Sequence, residues 1–470
     1  MNTIYVKKEL TKTMAYLEST LNLESSFDLI TREIIIGGEK ACYYFVDGFC
    51  KDEVTEKLLE RFMGIQEGEL PKTLDLFAKK YVPYIEVTLE DQYDIIMNNI
   101  LTGVIVFFLD GYDQALLIDA RTYPSRSVTE PEKDRSIRGS KDGFVETIVN
   151  NTALIRRRIR SKELRMEMFT VGISSKTDVV LCYMEDRVDL AYLSKIRTKI
   201  QSIQIDALTM NQESLAECLY TRKWINPFPK FKYTERPDTA ASEVLEGNVI
   251  ILVDNSPSVM ITPTTIFDIS QEADDYYFPP ITGTYLRLSR FIIAIFTYIL
   301  TPTFLLFMNH PQWMPQWLSF IVLQEVENIP LLAQFLLLEL AIDGLRLASV
   351  NTPNMLSTPL SIMAALILGE FSVNSGWFNS EVMLYMAFVA LGSYTQTSFE
   401  LGYAIKFFRI LTLVCTQILG VSGYILGILI LLSSLISNKT LSKTSYLFPL
   451  IPFRGKLLFK SLFRVTIKNQ

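Results

Sequence analysis

Histidine is nearly missing from this chain of 470 residues: it occurs once, as His310, between Asn309 and Pro311. A lone histidine cannot form half of a metal pair, and beside Pro311 and Trp313 in a short loop it is not a buried catalytic base. The five cysteines, Cys42, Cys50, Cys182, Cys218 and Cys415, are odd in number and lack CxxC spacing. They read as reduced cytosolic thiols, not as a disulfide framework or a zinc site. The opening "MNTIYVKKELTKTMAYLEST" has no apolar core of the signal-peptide kind, so the soluble part is expected to stay on the side where it is made. No nucleophile stands beside a base in any recognisable motif, and Asp110, Asp119 and Asp254, which end apolar runs, read as turn-formers. A net charge of −6 argues against a polyanion partner. The expectation is a protein that is not an enzyme, with no cofactor, no metal and no nucleic-acid partner.

What the chain does have is apolar surface and charge in separate places. Hydrophobic residues make up 49% and charged residues 20%, too much charge for a chain wholly buried in lipid. Up to about Tyr277 the sequence is dense in Lys, Arg, Asp and Glu; from Phe291 long apolar runs dominate. The expected fold class is therefore α/β plus membrane α-helical: two similar α/β cytoplasmic subdomains followed by a multi-helix transmembrane domain.

The similarity of the subdomains is visible as a repeat. Shifting the chain by 144 residues lays "LTGVIVFFLD" (Leu101 to Asp110) on "LEGNVIILVD" (Leu245 to Asp254), matching Leu, Gly and Asp without a gap. Each run is followed by a turn and a second apolar run, a hairpin pattern. Upstream, "KACYYFVDGFCKDEVTEKLLERF" and "DVVLCYMEDRVDLAYLSKIRTKI" both read as strand, acidic turn and amphipathic helix. The expected domains are an N-terminal segment 1–27, a first α/β subdomain 28–130, a linker with an amphipathic helix 131–164, a second α/β subdomain 165–280, a transmembrane domain 281–437 and a basic tail 438–470.

The linker contains "RGSKDGFVETIVNNTALIRRRIRS". Its glycines are too close for a P-loop and no Lys-Ser or Lys-Thr pair opens the helix. Val145, Ile148, Val149, Ile155 and Ile159 fall at helical spacing. The basic residues Arg156, Arg157, Arg158 and Arg160 suit the negative end of a helix dipole. Together with Arg138 they are also candidates for contact with anionic lipid heads or with an acidic patch on a neighbouring subunit.

Four runs are expected to span a bilayer: Phe291 to Met308, Ser357 to Val373, Glu381 to Thr395 and Ile410 to Ile436. Arg287 and Arg290 before the first, and an acid-free basic tail after the last, put both ends in the cytoplasm. The same assignment leaves Lys406 and Arg409 on the outer side, against that rule. The tail "RGKLLFKSLFRVTIKNQ" suits a basic amphipathic helix on the membrane surface. A further stretch, "NIPLLAQFLLLELAIDGLRLAS" (Asn328 to Ser349), is apolar apart from Glu339, Asp343 and Arg346 at i, i+4 and i+7, a single charged stripe. Ionisable groups at membrane depth are costly and usually face water or a partner. These three, with Glu370, are the candidate ion pathway; the alternative is an interfacial helix whose Asp343 and Arg346 pair.

Three long motifs, "RSIRGSKDGFVETIVNNTALIRRRIR", "ERPDTAASEVLEGNVIILVDNSPSVMITPTT" and "IPLLAQFLLLELAIDGLRLA", resemble the A-subunit family of GerA-type spore germination receptors. The linker wording is closer to the stage V sporulation protein AF branch of that family than to the nutrient-sensing A subunits. The resemblance implies a multi-pass protein of the spore inner membrane, its soluble region facing the cytoplasm or spore core. It further implies a ring-forming, possibly pentameric, homo-oligomer that releases monovalent cations on germinant signalling, with other germination membrane proteins and membrane lipids as partners. A non-conducting scaffold or germinant-sensing subunit is the competing expectation.

Overall fold

The computed structural model describes residues 4–122, 139–220, 226–323, 328–351, 369 and 371–465. The chain divides into two compact units, Met1–Thr221 with Phe231–Pro263, and Arg222–Lys230 with Thr264–Gln470.

The first unit is built from the repeat. Its first half runs α1 (Leu10–Leu21), β1 (Leu29–Ile36), β2 (Glu39–Val46), α2 (Asp52–Met63), α3 (Leu74–Tyr81), β3 (Val87–Glu90), α4 (Tyr93–Leu101), β4 (Ile105–Leu109) and β5 (Ala115–Ile118). The second half repeats that order as α5 (Ile148–Arg158), β6 (Leu164–Val171), β7 (Thr177–Met184), α6 (Leu190–Gln201), α7 (Asn211–Leu219), β8 (Lys232–Thr234), α8 (Pro237–Leu245), β9 (Val249–Val253) and β10 (Val259–Thr262). Each half forms a five-stranded sheet of the same topology, β1-β2-β4-β5-β3 and β6-β7-β9-β10-β8, and every pairing is antiparallel. The central strands β4 "IVFFL" and β9 "VIILV" are buried at every position. Their unbroken apolar character is that of strands covered on both faces. In the first half, α1 and α4 cover one face through Leu17, Leu21, Ile96 and Ile100; α2 and α3 cover the other through Leu58, Phe62 and Phe77.

The aspartates that end β4 and β9 do the same thing in both halves. Asp110 Oδ1 accepts from the Leu10 amide at 2.8 Å, and Asp254 Oδ1 accepts from the Ile148 amide at 3.1 Å. Each satisfies an orphan N–H at the start of the helix that opens its half and places a negative charge at the positive end of the dipole. The residues after them match too: Gly111 N donates to Lys8 O and Asn255 N to Glu146 O, both 2.8 Å, with φ of +86° and +60°. The left-handed turn explains why Gly and Asn are found there. The segment expected as a linker thus supplies α5, the opening helix of the second half.

The second unit holds the short helices α9 (Ile266–Ile269) and α10 (Asp274–Tyr277), then α11 (Pro280–Asn309), α12 (Leu331–Asn351), α13 (Ser380–Tyr394), α14 (Phe399–Leu419), α15 (Val421–Ser437) and α16 (Gly455–Leu462). Among the described residues α11 and α14 are long and apolar enough to cross a membrane; α13 and α15 are shorter apolar helices. Contacts set their directions. Tyr298 OH meets Thr412 Oγ1 at 2.8 Å and Asn309 Nδ2 donates to Gln417 Oε1 at 3.4 Å, so α11 and α14 run together. The Gln334 and Asn379 side chains bond near the starts of α12 and α13, and Arg346 reaches Ser393 near their ends, so these two are also parallel.

Two sequence expectations change here. The fourth expected span, Ile410 to Ile436, is not one helix: Gly420, at φ +61°, turns the chain between α14 and α15. A Cβ on Gly423 would lie 1.8 Å from Cys415 O, and one on Gly427 would lie 2.5 Å from Thr412 Oγ1, so these glycines let the two backbones touch. Consequently Lys406 and Arg409 are not in an outer loop but within α14. Most of the second expected span, Ser357 to Val373, lies outside the described residues, Glu370 included.

Candidate functional site

The expected stripe on α12 exists, and what faces it is the complementary stripe of α14. Glu339 is 4% exposed and accepts from Arg409 Nε at 2.9 Å. Lys406 Nζ lies 3.3 Å from Glu339 Oε2, donates to Glu339 O at 3.1 Å and also donates to Asp343 Oδ2. Arg409 Nη1 closes the group by donating to Thr297 O of α11 at 3.2 Å. The spacing explains the match: carboxylates at i and i+4 on α12 meet cations at i and i+3 on an antiparallel α14. Apolar side chains lie on both sides along the bundle, Phe304, Phe335 and Leu413 on one and Leu401, Ala404 and Phe408 on the other.

Arg346, the third member of the expected stripe, does not pair with Asp343. Its guanidinium lies over the rings of Tyr394 (4.9 Å), Tyr403 (5.4 Å) and Phe399 (5.8 Å) and reaches Ser393 Oγ at 3.3 Å. Among the described residues no carboxylate pairs with it, and the ring quadrupoles hold the charge. Two carboxylates and two cations cancel, and Arg346 leaves the group at +1. A small cavity of mixed lining, with Asp343, Arg346, Ser393 and Lys406 beside Ile342 and Val389, opens between these helices, with room for little more than one water molecule. That size admits a water or a small ion and leaves no space for an organic ligand in this conformation.

Buried ion pairs contribute little net stability against an apolar replacement, but removing one partner strands a charge at a cost of about 3–5 kcal/mol. Glu339 and Arg409 therefore hold α12 to α14 mainly by what their separation would cost. Sequence reasoning found Glu339, Asp343 and Arg346; it missed Lys406, Arg409 and the aromatic box. The signal was present: Ser398, whose side chain accepts from Leu401 N, marks a helix start that places 406 and 409 on one face.

The arginine cluster divides. Arg156 is fully buried and forms a two-point bond with Asp28, Nε to Oδ2 at 2.7 Å and Nη2 to Oδ1 at 3.1 Å, and it also donates to Ser161 O and Leu164 O. It ties α5 to the residues that precede β1, so the expected lipid or subunit contact is corrected for Arg156: there is no surface for either. Arg158 is half-buried, bonding to Ser140 Oγ at 2.9 Å and Asp142 Oδ2 at 3.2 Å. Arg157 is half-buried and Arg160 exposed; Arg138 lies outside the described residues. Burial pushes the Cys50 and Cys182 thiols up to about 12, so neither is a thiolate near neutral pH.

The chain thus joins a duplicated α/β head to an apolar helical unit that encloses an ionic cluster, and among the described residues two of its helices are long and apolar enough to cross a membrane. The chain belongs to the GerA family: the family described as Bacillus/Clostridium GerA spore germination protein matches residues 15–470. It is 37% identical to stage V sporulation protein AF of Bacillus subtilis (strain 168), over 98% of this chain and 94% of that one. It is 27% identical to spore germination protein KA of the same organism, over 98% of this chain and 85% of that one. A crystal structure of the N-terminal domain of the A subunit of the Bacillus megaterium spore germinant receptor GerK3 matches 56% of this chain and 98% of that domain, with 25% identity and a TM-score of 0.44.

Proposed function

We propose that this chain is a membrane subunit of the ion-release machinery of spore germination, seated in the spore inner membrane with its α/β head in the spore core. In this reading several copies form a ring, and monovalent cations pass when α12 and α14 separate. The observation that carries it is the ionic cluster of Glu339, Asp343, Lys406, Arg409 and Arg346 around a small cavity inside an apolar unit. Such groups are expensive at membrane depth and mark ion pathways more often than they serve packing. With both carboxylates occupied by cations, the arrangement described corresponds to a closed state; opening frees Glu339 and Asp343 to face the path. Family membership supports the germination role.

The test is potassium efflux from liposomes carrying the purified full chain. Lys406→Gln, which releases the partly exposed Asp343, is expected to raise basal efflux; Glu339→Gln with Asp343→Asn is expected to abolish the cation preference. Efflux that is unchanged in both variants removes the cluster from the path. The second reading, a non-conducting scaffold or sensing subunit, is favoured by the full internal pairing of the carboxylates. It predicts no efflux from folded, oligomeric protein in any variant.

A further inference from the structure

The segment that follows α15 has no part in the ionic cluster, and no acid occurs after Ile436. In α16 and its C-cap, Lys456, Phe459, Lys460 and Phe463 fall at i, i+3, i+4 and i+7 and make one stripe. All four are exposed, while Leu458, Ser461 and Leu462 on the other side are half-buried. Phe459 is 55% and the neighbouring Phe453 72% exposed, and the Phe459 and Phe463 rings stack at 4.7 Å.

The depth of this helix is set by its clamp. Arg287 of α11, 1% exposed, donates to Lys460 O at 3.2 Å and Ser461 O at 2.9 Å while its Nε faces Asp275 at 3.4 Å. The Arg464 amide donates to Thr284 Oγ1 at 3.0 Å, and its side chain donates to Tyr276 O. Gly283 makes room for this: a Cβ there would lie 2.1 Å from Asp275 O and 3.0 Å from Arg464 Cδ. The clamp residues 283–287 precede Phe291, where the apolar run begins, by about 6–12 Å at 1.5 Å per residue. The near end of that span, at Arg287, falls within a headgroup layer about 5–8 Å thick on each side, and the far end just beyond it.

We infer that α16 with Phe453 and Arg454 is an anionic-lipid-binding collar, held by Arg287 against the foot of α11, whose Lys–Phe stripe takes the headgroups and upper acyl chains of acidic phospholipids in the adjoining leaflet. Charge complementarity selects the occupant: a stripe of Lys and Phe with no acid fits a surface that is negative at the headgroups and apolar just beneath. A protein groove of like apolarity gives the lysines no counter-charge. The inference rests on the helical unit being embedded in a membrane.

The test is hydrogen–deuterium exchange on the full chain in nanodiscs of phosphatidylcholine alone or with phosphatidylglycerol, at low and high salt. Wild-type amides of residues 457–463 are expected to exchange more slowly with the anionic lipid at low salt only. In the Lys456→Gln/Lys460→Gln variant the lipid-dependent protection is expected to fall about thirtyfold, the factor for two lysines each contributing about 1 kcal/mol at an anionic surface. Protection of α11 in both lipids, with 457–463 insensitive to lipid charge, overturns the collar and leaves the membrane reading standing. An α11 that exchanges as freely in nanodiscs as in lipid-free buffer overturns both.

Discussion

Two buried arginines, Arg156 in the head and Arg409 in the helical unit, each hold one carboxylate, and the physical consequence is the same. Replacing Arg156 by Met leaves Asp28, 2% exposed, without its counter-charge, which is expected to cost about 3–5 kcal/mol. Adding Asp28→Leu should recover most of that; exchange rates of the α5 amides in both variants check it. Lys230 is a different case, a buried cation whose ammonium reaches Asn438 Oδ1 and, at 2.9 Å, Lys439 O. Burial pushes its pKa down to about 8 from 10.5. Between those values the unfolded chain binds more protons than the folded one, so stability rises with pH there and is lowest below about 8. The thermal midpoint of the wild type relative to Lys230→Met is expected to climb between pH 7 and pH 10.

Among the elements, the α14–α15 hairpin depends on backbone approach. Gly423→Val drives side-chain atoms into the Cys415 carbonyl, where a Cβ alone would be 1.8 Å away, so the cost should exceed the usual 1–3 kcal/mol or so of overpacking. Gly344 of α12 has open space around its missing Cβ, and Gly344→Ala is expected to be neutral or to stabilise by up to about 1 kcal/mol. Thermal midpoints of the two detergent-solubilised variants check both signs. That break was poorly legible in the sequence, because glycine inside an apolar run is common in membrane helices. Only the left-handed φ of Gly420 turns the run into two helices.

For the whole molecule, α11 connects two ends of different character. Exposed Trp313 and Trp317 follow its C-terminus, while the basic α16 is clamped to its N-terminal turns. With the helical unit in a bilayer, Trp317→Cys and Lys456→Cys are expected to react with an impermeant maleimide from opposite sides of intact cells, Lys456→Cys only after permeabilisation. Labelling of both from outside refutes the topology.

The repeat was enough to predict the duplicated head, since the 144-residue shift survives intact from α4 to β5, and helical periodicity was enough to find the stripe of Glu339, Asp343 and Arg346. The first is a repeated order of elements and the second a 3.6-residue period within one helix, and both are written in the run of the sequence. What faces each element is not. The pairing of Glu339 with Arg409, 70 residues away, the aromatic box around Arg346 and the burial of Arg156 on Asp28, 128 residues away, depend on how helices and sheets pack. An arginine looks the same in sequence whether it meets lipid, water or a buried carboxylate; only the tertiary structure supplies the partner that decides its energy.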